Sequence, residues 1–328
     1  MPQMKAIQVS EFGDPDVLEH VDVERPSSGE GEVLIEVKAA GVNYADTMRR
    51  RNQYLEDTPL PFVPGSEVSG VVAEVGAGAE DVKEEDRVVT LLGTGGYAQY
   101  AVAPARNLIS IPDGMDFEEA AAIPLQGLTA YHVLKTSGML MEGEGVLVHA
   151  AAGGVGTLAV QMAKLMGASP VIATASTQEK LNLANELGAD ILINYTEEDW
   201  PEKVREATGG EGADLILEMV GGDFVQKNFE CLAAFGRMVV YGWASGERGS
   251  LIPADLMLKN QVVAGFYLPQ LMGGRPELVE PSLEKILGWL ASGELSLTIG
   301  ARYPLEKAQE AHGALEGRQT TGKIILNP

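Results

Sequence analysis

Residues 145–156 read Gly-Val-Leu-Val-His-Ala-Ala-Ala-Gly-Gly-Val-Gly, a short apolar run followed by a turn of small residues. The run predicts a buried strand, and the pattern of residues 154–166 predicts a helix. Small residues at such a turn let backbone amides approach an anion, and the helix N-terminus adds unpaired N–H groups and the positive end of its dipole. With Ala151 in the place of the first glycine, the spacing is typical of a dinucleotide pyrophosphate site, held by Gly153, Gly154, Val155 and Gly156.

Strand and helix patterns alternate along the whole middle of the chain. Apolar runs at residues 145–150, 170–175, 190–194, 213–219 and 236–241 are separated by helical periodicity. The runs are apolar almost throughout, as strands covered on both faces are. This alternation predicts a doubly wound parallel sheet over residues 124–265, with residues 262–268 as a further strand at its edge.

The first third of the sequence has a different texture. Short β-branched or alternating runs there are bounded by Gly, Pro or Asp, which predicts a small barrel or an irregular sandwich. The C-terminal segment is expected to return to this domain, which is then discontinuous and comprises residues 1–123 and 266–328. The predicted fold class is therefore α/β, with a β-rich domain and a doubly wound domain.

The end of the second strand of the predicted sheet decides which dinucleotide is accepted. NAD sites usually place a carboxylate there to bond the ribose hydroxyls, but this strand ends in Ala175 and Ser176 without an acid at its tip. A carboxylate would repel a 2′-phosphate, so its absence permits NADP. Because Lys180 follows one helical turn later and can supply positive charge, the sequence predicts NADPH as the cofactor.

Composition excludes several classes of partner. The 328 residues carry a formal net charge of −23, and such a surface repels nucleic acid and anionic lipid. The sequence contains no apolar run of about 18 residues that would predict a membrane helix, and it begins without a secretory signal pattern. The single cysteine, Cys231, excludes an internal disulfide and fits a reducing compartment. We therefore expect a cytoplasmic protein that binds neither nucleic acid nor membranes.

Metal-binding side chains are too few for the zinc sites that many reductases contain. A structural tetrahedral site needs four Cys or His ligands at short spacing, whereas this chain has one cysteine and four scattered histidines. A catalytic site needs a convergence of Cys, His and a carboxylate that the sequence does not offer. His149 lies within a predicted strand and is interpreted as a core residue, so we expect no metal.

Three segments together resemble the medium-chain dehydrogenase/reductase superfamily, and within it the zinc-free quinone oxidoreductases related to zeta-crystallin. Residues 39–46 are similar to the active-site segment of that branch, residues 64–72 to the superfamily's Gly-His-Glu segment, and residues 150–156 to the branch's nucleotide turn. Ser66 stands where zinc enzymes carry a ligand His, and residues 41–43 stand where they carry a catalytic Cys. The resemblance covers the whole chain. It implies a GroES-like β-barrel catalytic domain, a Rossmann NADPH-binding domain and an active site in the cleft between them.

The resemblance also implies roles for individual residues. Thr129 is expected on the nicotinamide side, Tyr195 on the adenosine side, and Ser176, Lys180 and Arg318 at the 2′-phosphate. The remaining residues implied to line the nicotinamide pocket are Tyr241, Gly242, Phe266 and Leu268. Members of the branch are commonly dimers joined through the edge of the Rossmann sheet, so a homodimer is expected.

Hydride transfer is chemistry of the cofactor, which leaves the protein to hold the acceptor and stabilise the developing oxyanion. Without zinc, hydrogen-bond donors must provide that stabilisation. Asn43 offers an amide, and Tyr54 can donate to a carbonyl oxygen or relay a proton. A quinone or another α,β-unsaturated carbonyl compound suits this modest set of acid–base groups. Asp46 is interpreted as a helix cap.

Two other functions stay open. Met48 occupies the place where the branch often has an additional tyrosine, and Arg49, Arg50 and Arg51 follow it. This basic run either attracts an anionic CoA thioester, which favours an enoyl-thioester (crotonyl-CoA-type) reductase, or forms a solvated helix face. The third function is that of a non-catalytic, crystallin-like NADPH-binding protein.

Overall fold

The computed structural model describes residues 2–328, which divide into two compact units. The first unit contains the residues up to Leu125 together with Thr298–Pro328, and the second contains Gln126–Leu297. Residues 266–297, which the sequence assigned to the first domain, therefore lie in the second unit. The reason is that Val262–Gly265 joins the parallel sheet, and His132 of this unit hydrogen-bonds Ser282 of the segment that follows.

The secondary structure agrees with the predicted α/β class. The strands are β1 Gln3–Val9, β2 Leu18–Glu24, β3 Glu32–Val42, β4 Glu67–Val75, β5 Arg87–Leu91, β6 Tyr100–Pro104, β7 Ile109–Ser110, β8 Val146–Val148, β9 Val171–Ala175, β10 Ile191–Asn194, β11 Ala213–Glu218, β12 Leu232–Val240, β13 Val262–Gly265, β14 Ile299–Pro304 and β15 Lys323–Asn327. The α-helices are α1 Tyr44–Arg50, α2 Phe117–Ala120, α3 Pro124–Lys135, α4 Gly154–Leu165, α5 Gln178–Glu186, α6 Trp200–Ala207, α7 Phe224–Cys231, α8 Leu268–Gly274, α9 Val279–Ser292 and α10 Ala308–Glu316.

The first unit is built on β-structure. β1 and β2 form an antiparallel pair, and a larger sheet has the order β14-β15-β3-β4-β5-β7, with β6 paired to β3. The C-terminal strand β15 lies antiparallel to β3, with Ile325 opposite Gly41. This pairing brings the end of the chain beside the segment that leads into α1. The alternating apolar residues of these strands, including Val33, Ile35, Val72 and Ile324, form its core.

The second unit is a parallel sheet with the order β10-β9-β8-β11-β12-β13. Successive strands run outward from β8 in one direction and from β11 in the other, so the topology switches between these two strands. Ligands of such sheets bind outside the carboxyl ends of the strands at the switch point. The core lies along the central strands and includes Leu147, Ile172, Ile216 and Met238. Across residues 2–328, no helix combines the length and the apolar character needed to cross a membrane.

Candidate functional site

Most of the predicted cofactor residues follow the carboxyl ends of strands in the second unit. Because neighbouring strands of this sheet are parallel, these ends lie along one edge. The residues concerned are Gly153, Gly154, Val155 and Gly156 after β8, Ser176 and Lys180 after β9, Tyr195 after β10, Tyr241 and Gly242 after β12, and Phe266 and Leu268 after β13. The structure thus brings to one edge residues that are far apart in sequence.

The glycine turn after β8 has the local geometry of an anion cradle. Gly153 is the N-cap of α4 and, lacking a side chain, contributes no side-chain cap to the first amides of the helix, which have no partner within the helix itself. A Cβ on Gly156 would lie only 2.3 Å from the carbonyl oxygen of Ala150 and 2.7 Å from Cα of Ala151. Only glycine allows α4 to begin this close to the strand, and the turn therefore fits a pyrophosphate.

The end of β9 has no acidic side chain at its tip, and its local structure is set by a helix cap. Thr177 is the N-cap of α5, and its Oγ1 accepts a hydrogen bond from the backbone N–H of Lys180 at 3.4 Å. Ser176 and Lys180 are half-buried beside this cap. Glu179, which the sequence reasoning missed, bonds its own amide and the Thr177 side chain, and these bonds lower the pKa of its carboxyl.

The aromatic residues at this edge are held by neighbouring rings. The ring of Tyr195 packs edge-on against Phe224, with 5.6 Å between the centroids, and Phe266 stacks on His132 at 6.2 Å. Burial, together with the negative charge of Glu218, raises the pKa of Tyr241.

Two of the predicted cofactor residues are not among those at the strand ends. Thr129 is buried on α3 of the second unit, whereas Arg318 belongs to the first unit. Arg318 is exposed, just beyond the end of α10, with φ of +54°.

A buried polar cluster joins elements of the parallel sheet close to the same edge. His149 is fully buried, as expected for a core residue, and its ring nitrogens pair with Thr174 Oγ1 at 2.8 Å and with Asn228 Oδ1 at 2.7 Å. Burial lowers the pKa of His149, so the imidazole is neutral. Glu218 at the end of β11 accepts the backbone N–H groups of Val220 and Gly221, each at 2.6 Å, and so braces the next turn.

In the first unit, Asn43 lies between two buried charges. It is the N-cap of α1 and is only 3% exposed. Its Oδ1 accepts a hydrogen bond from Lys323 Nζ at 2.9 Å, and its Nδ2 donates to Glu67 Oε2 at 3.2 Å. Lys323 and Glu67 form an ion pair, and the other oxygen of Glu67 accepts the N–H of Leu125 at 2.7 Å. Lys323 was not identified from the sequence.

A second buried cluster surrounds Asp46, which caps α1 as expected. Its carboxylate accepts the backbone N–H of Asn43 at 2.9 Å, the hydroxyl of Ser66 at 3.0 Å and the hydroxyl of Tyr97 at 3.1 Å. Burial raises the pKa of Asp46, against the effect of these donors and of Lys323. The hydroxyl of Ser66 is therefore directed into the protein, toward Asp46.

The cluster continues to His312 and Arg50. Arg50 NH1 lies 3.1 Å from His312 Nδ1, and Tyr97 Oη lies 3.1 Å from His312 Nε2. Because a guanidinium only donates, Nδ1 accepts and the neutral ring carries its proton on Nε2, toward Tyr97. Burial, aided by Arg50, lowers the pKa of His312 to about 3. Each group in this series donates to the next, ending at Asp46.

The three arginines after Met48 do not form the solvated helix face that the sequence allowed. Arg50 is fully buried and bonds Glu316 at 2.7 Å. Arg51 pairs with Asp14 at 3.0 Å and with Glu316 at 3.4 Å. The guanidinium of Arg49 lies over the ring of Tyr54, 4.0 Å from its centroid, and bonds Glu56 and Thr58. Carboxylates thus neutralise the run, and Arg49 anchors the loop that carries Tyr54.

The donor set around Asn43 and Ser66 does not suit a zinc ion. An amide and a hydroxyl are poor ligands for zinc, which favours Cys, His and carboxylate, and both side chains are hydrogen-bonded to protein groups. Within residues 2–328, no group of three His, Cys, Asp or Glu side chains is arranged to hold a metal ion.

Both units of this chain match known protein families. Residues 29–113 match the alcohol dehydrogenase GroES-like domain and residues 154–286 match the zinc-binding dehydrogenase domain. Human quinone oxidoreductase is 36% identical, over 98% of this chain and 97% of its own, and 2-haloacrylate reductase of a Burkholderia species is 36% identical over 98% of each. The structure of Escherichia coli quinone oxidoreductase complexed with NADPH superposes with a TM-score of 0.92 at 34% identity, covering 99% of each chain. The chain therefore belongs to the quinone oxidoreductase branch of the medium-chain dehydrogenase/reductase superfamily.

Proposed function

We propose that this protein is an NADPH-dependent oxidoreductase that transfers a hydride, without zinc, to a quinone or another α,β-unsaturated carbonyl acceptor. The glycine turn at the start of α4, with no acid at the tip of β9, is the observation that carries the proposal. The NADPH complex of the Escherichia coli relative supports the cofactor. The names of the human and Burkholderia relatives support a conjugated acceptor.

The cofactor residues predicted from the sequence have distinct tasks in this proposal. The amides of Gly154, Val155 and Gly156 would bind the pyrophosphate through the positive end of α4. Lys180 and Ser176, at the end of β9, would bind the 2′-phosphate, with Arg318 of the first unit contributing charge. Tyr195 would flank the adenosine.

The nicotinamide would be received by the other predicted residues. Those residues are Thr129, Tyr241, Gly242, Phe266 and Leu268. The bound cofactor supplies the hydride, and the protein's task is to orient the ring and exclude water.

Stabilisation of the reduced acceptor falls to the first unit. We assign Asn43 and Tyr54 to the acceptor side, where donors can stabilise negative charge on a carbonyl oxygen. Tyr54 is well suited to hold this position because Arg49 stacks on its ring and ties the same loop through Thr58. The hydroxyl of Ser66 donates its hydrogen to Asp46, so its oxygen can accept hydrogen bonds but is not placed as a zinc ligand.

The alternative functions receive less support. The CoA-thioester interpretation relied on an open basic run, but Glu56, Glu316 and Asp14 pair with Arg49, Arg50 and Arg51. A non-catalytic NADPH-binding protein would need the same cradle, and only turnover distinguishes it.

We further propose a homodimer formed through β13. This strand is at the edge of the parallel sheet, and unpaired edges readily add another strand. Exposed apolar side chains accompany it: Val262 on the strand itself, and Ile252, Met257 and Leu258 just before it in the chain. Light scattering of the wild type and of Val262→Lys tests the proposal. A monomeric wild type, or a variant that dimerises unchanged, contradicts it.

We also propose a cytoplasmic location. Cys231 is buried, and burial raises the pKa of its thiol to about 12, so it is an unreactive core residue that needs no oxidising compartment. Fractionation of the native host cells tests this directly.

The activity is tested with purified protein and a panel of acceptors under one set of conditions. NADPH oxidation is followed with a quinone series, an enal and crotonyl-CoA, and NADPH binding is titrated separately by fluorescence. We expect turnover with quinones or the enal and a strong preference for NADPH over NADH. Turnover with the thioester alone would establish the alternative reductase, and binding without any turnover would establish the non-catalytic protein.

A further inference from the structure

The first turn of α5 carries a negative charge beside the lysine that is proposed to bind the 2′-phosphate. Glu179 directly precedes Lys180, and both come shortly after Ser176 and the N-cap Thr177. The other charged residue of this helix, Glu186, is at its opposite end. The first turn therefore offers a phosphate one cation and one carboxylate, with no net charge between them.

Hydrogen bonds hold the carboxylate of Glu179 at the N-terminus of α5. It accepts the backbone N–H of Glu179 itself and the hydroxyl of Thr177, whose oxygen in turn accepts the N–H of Lys180 at 3.4 Å. These bonds lower the pKa of the Glu179 carboxyl, so it is ionised at neutral pH. The positive end of the helix dipole also favours a negative charge there. The carboxylate thus lies beside the N-cap and not further along the helix.

A 2′-phosphate would meet this carboxylate. Ser176 immediately precedes the N-cap and Lys180 is the third residue of the helix, so a phosphate bound to both would lie at the same end of α5. A phosphate monoester carries a charge of about −1.5 to −2 at pH 7, and Glu179 repels it. NADH has a hydroxyl at this ribose position and meets no such repulsion, since a carboxylate can accept a hydrogen bond from a ribose hydroxyl.

We infer that Glu179 is a specificity-determining residue that opposes the 2′-phosphate and holds the preference for NADPH below the value that Lys180 and Ser176 would give without it. The lysine favours NADPH, and the carboxylate one position earlier favours NADH relative to it. The balance of the two charges leaves NADH as a usable second cofactor. The inference rests on the proposed binding of the 2′-phosphate at the end of β9.

Glu179→Gln tests the inference by removing the charge alone. The amide oxygen of glutamine can accept the same two hydrogen bonds. NADPH and NADH are titrated by fluorescence into the same preparation, and the preference is the Kd for NADH divided by the Kd for NADPH. We expect this ratio to rise about 3- to 10-fold, through tighter binding of NADPH, as loss of a nearby like charge predicts. The rise should shrink in 1 M salt, where charges are screened beyond about 3 Å.

Glu186→Gln is the matched control on the same helix. It removes an equal, exposed charge seven positions further along, which is about 10 Å along the helix axis. Screening at 0.1 M ionic strength acts over about that distance, so the ratio should stay within about 1.5-fold of the wild type. Because both cofactors are titrated into one preparation of each variant, a change in the folded fraction does not alter the ratio.

The inference and the proposed function fail in different ways. Lys180→Met tests the phosphate site itself, and an unchanged ratio in this variant would show that the 2′-phosphate binds elsewhere. If the ratio falls in Lys180→Met but does not rise in Glu179→Gln, the role of Glu179 alone is contradicted. An equal rise in Glu186→Gln, or a rise in Glu179→Gln that 1 M salt leaves unchanged, also contradicts it.

Discussion

The turn at residues 150–156 contains no charged side chain, whereas the region around Asn43 contains four charged groups that are almost completely buried: Asp46, Glu67, Arg50 and Lys323. The turn presents backbone N–H groups at the N-terminus of α4. The Asn43 region presents side chains held by other side chains, with two carboxylates balanced by two cations. The two regions therefore bind by different physical means.

The difference follows from what each region is proposed to bind. A pyrophosphate carries its own negative charge, and in a protein of net charge −23 a helix N-terminus gives a local positive field without a mobile side chain. A quinone is neutral until it is reduced, so its site needs donors fixed in advance of the charge that develops. Fixed donors require partners, and those partners are the buried charges.

The largest effect is expected from filling the backbone cradle with a side chain. In Gly156→Val the new Cβ would meet the Ala150 carbonyl oxygen at 2.3 Å, and backbone cannot move aside as a flexible side chain can. We expect NADPH affinity to fall by at least about 100-fold, while overpacking lowers stability by about 1–3 kcal/mol. Fluorescence titration and thermal unfolding measure the two effects.

Gly288→Ala on α9 is the matched control for that variant. No atom lies within 4 Å of the Cβ it adds, so affinity should be unchanged and stability unchanged or slightly higher. If Gly156→Val bound NADPH like the control, the pyrophosphate would have to bind elsewhere.

A smaller effect is expected from reversing the positive side-chain charge that the second unit contributes to the proposed 2′-phosphate site. Lys180→Glu would place a carboxylate near the 2′-phosphate, and hydrogen bonds to charged groups contribute about 1.5–3 kcal/mol. The preference for NADPH over NADH should therefore fall about 10- to 100-fold, chiefly through the Michaelis constant for NADPH. Lys227→Glu on α7, similarly half-buried, is the control. An unchanged preference would remove Lys180 from the phosphate site.

Local patterns explain why the fold could be predicted. The run Val146–Val148 with its small-residue turn indicated the parallel sheet, because strand period and turn chemistry act over a few residues. The assignment of residues 266–297 was wrong, because α8 and α9 continue beyond the strand–helix alternation and only their packing shows which unit they join. Periodicity does not contain that information.

The candidate site likewise has one part that could be predicted from local sequence and another part that could not. The cradle of Gly153–Gly156 is contiguous in sequence, so its local geometry could be predicted from the residues. Lys323 contacts Asn43 across 280 positions and Glu67 across 256, and His312 meets Tyr97 across 215. These pairs depend on β15 and α10 joining the first unit. The sequence predicted that the C-terminal segment returns to this unit, but it gave no signal for which side chains then meet.

Removing one hydroxyl from the Asp46 cluster tests how strongly buried side chains depend on one another. Tyr97→Phe takes a donor from Asp46 and leaves His312 Nε2–H without its acceptor, so we expect a loss of about 1–3 kcal/mol in the free energy of unfolding. Tyr303→Phe, at a half-buried position of the same unit, should stay within about 0.5 kcal/mol of the wild type. Denaturant titration measures the free energy of unfolding of each variant. Equal losses for the two variants would mean that the cluster is not tightly coupled.

The pH dependence of stability gives the finest test of the same cluster. Burial and Arg50 hold the folded pKa of His312 at about 3, below the unfolded value of about 6.5. As pH falls below the unfolded pKa, the unfolded chain takes up a proton that the folded protein refuses, so stability decreases by up to about 1.4 kcal/mol per pH unit until pH approaches the folded pKa. His312→Gln keeps a donor toward Tyr97 and removes this proton.

Other groups facing His312 do not obscure that comparison. Asp46 acts in the opposite direction, because burial raises its pKa in the folded protein, but its contribution is common to the wild type and His312→Gln. Arg50, Glu316 and Tyr97 are likewise present in both proteins. Urea unfolding at a series of pH values gives the free energy of unfolding of both proteins. The wild-type value minus the His312→Gln value should therefore decrease steadily as pH falls from about 6.5. A constant difference would show that folding leaves the pKa of His312 unshifted, which would contradict a neutral, buried imidazole that accepts a hydrogen bond from Arg50.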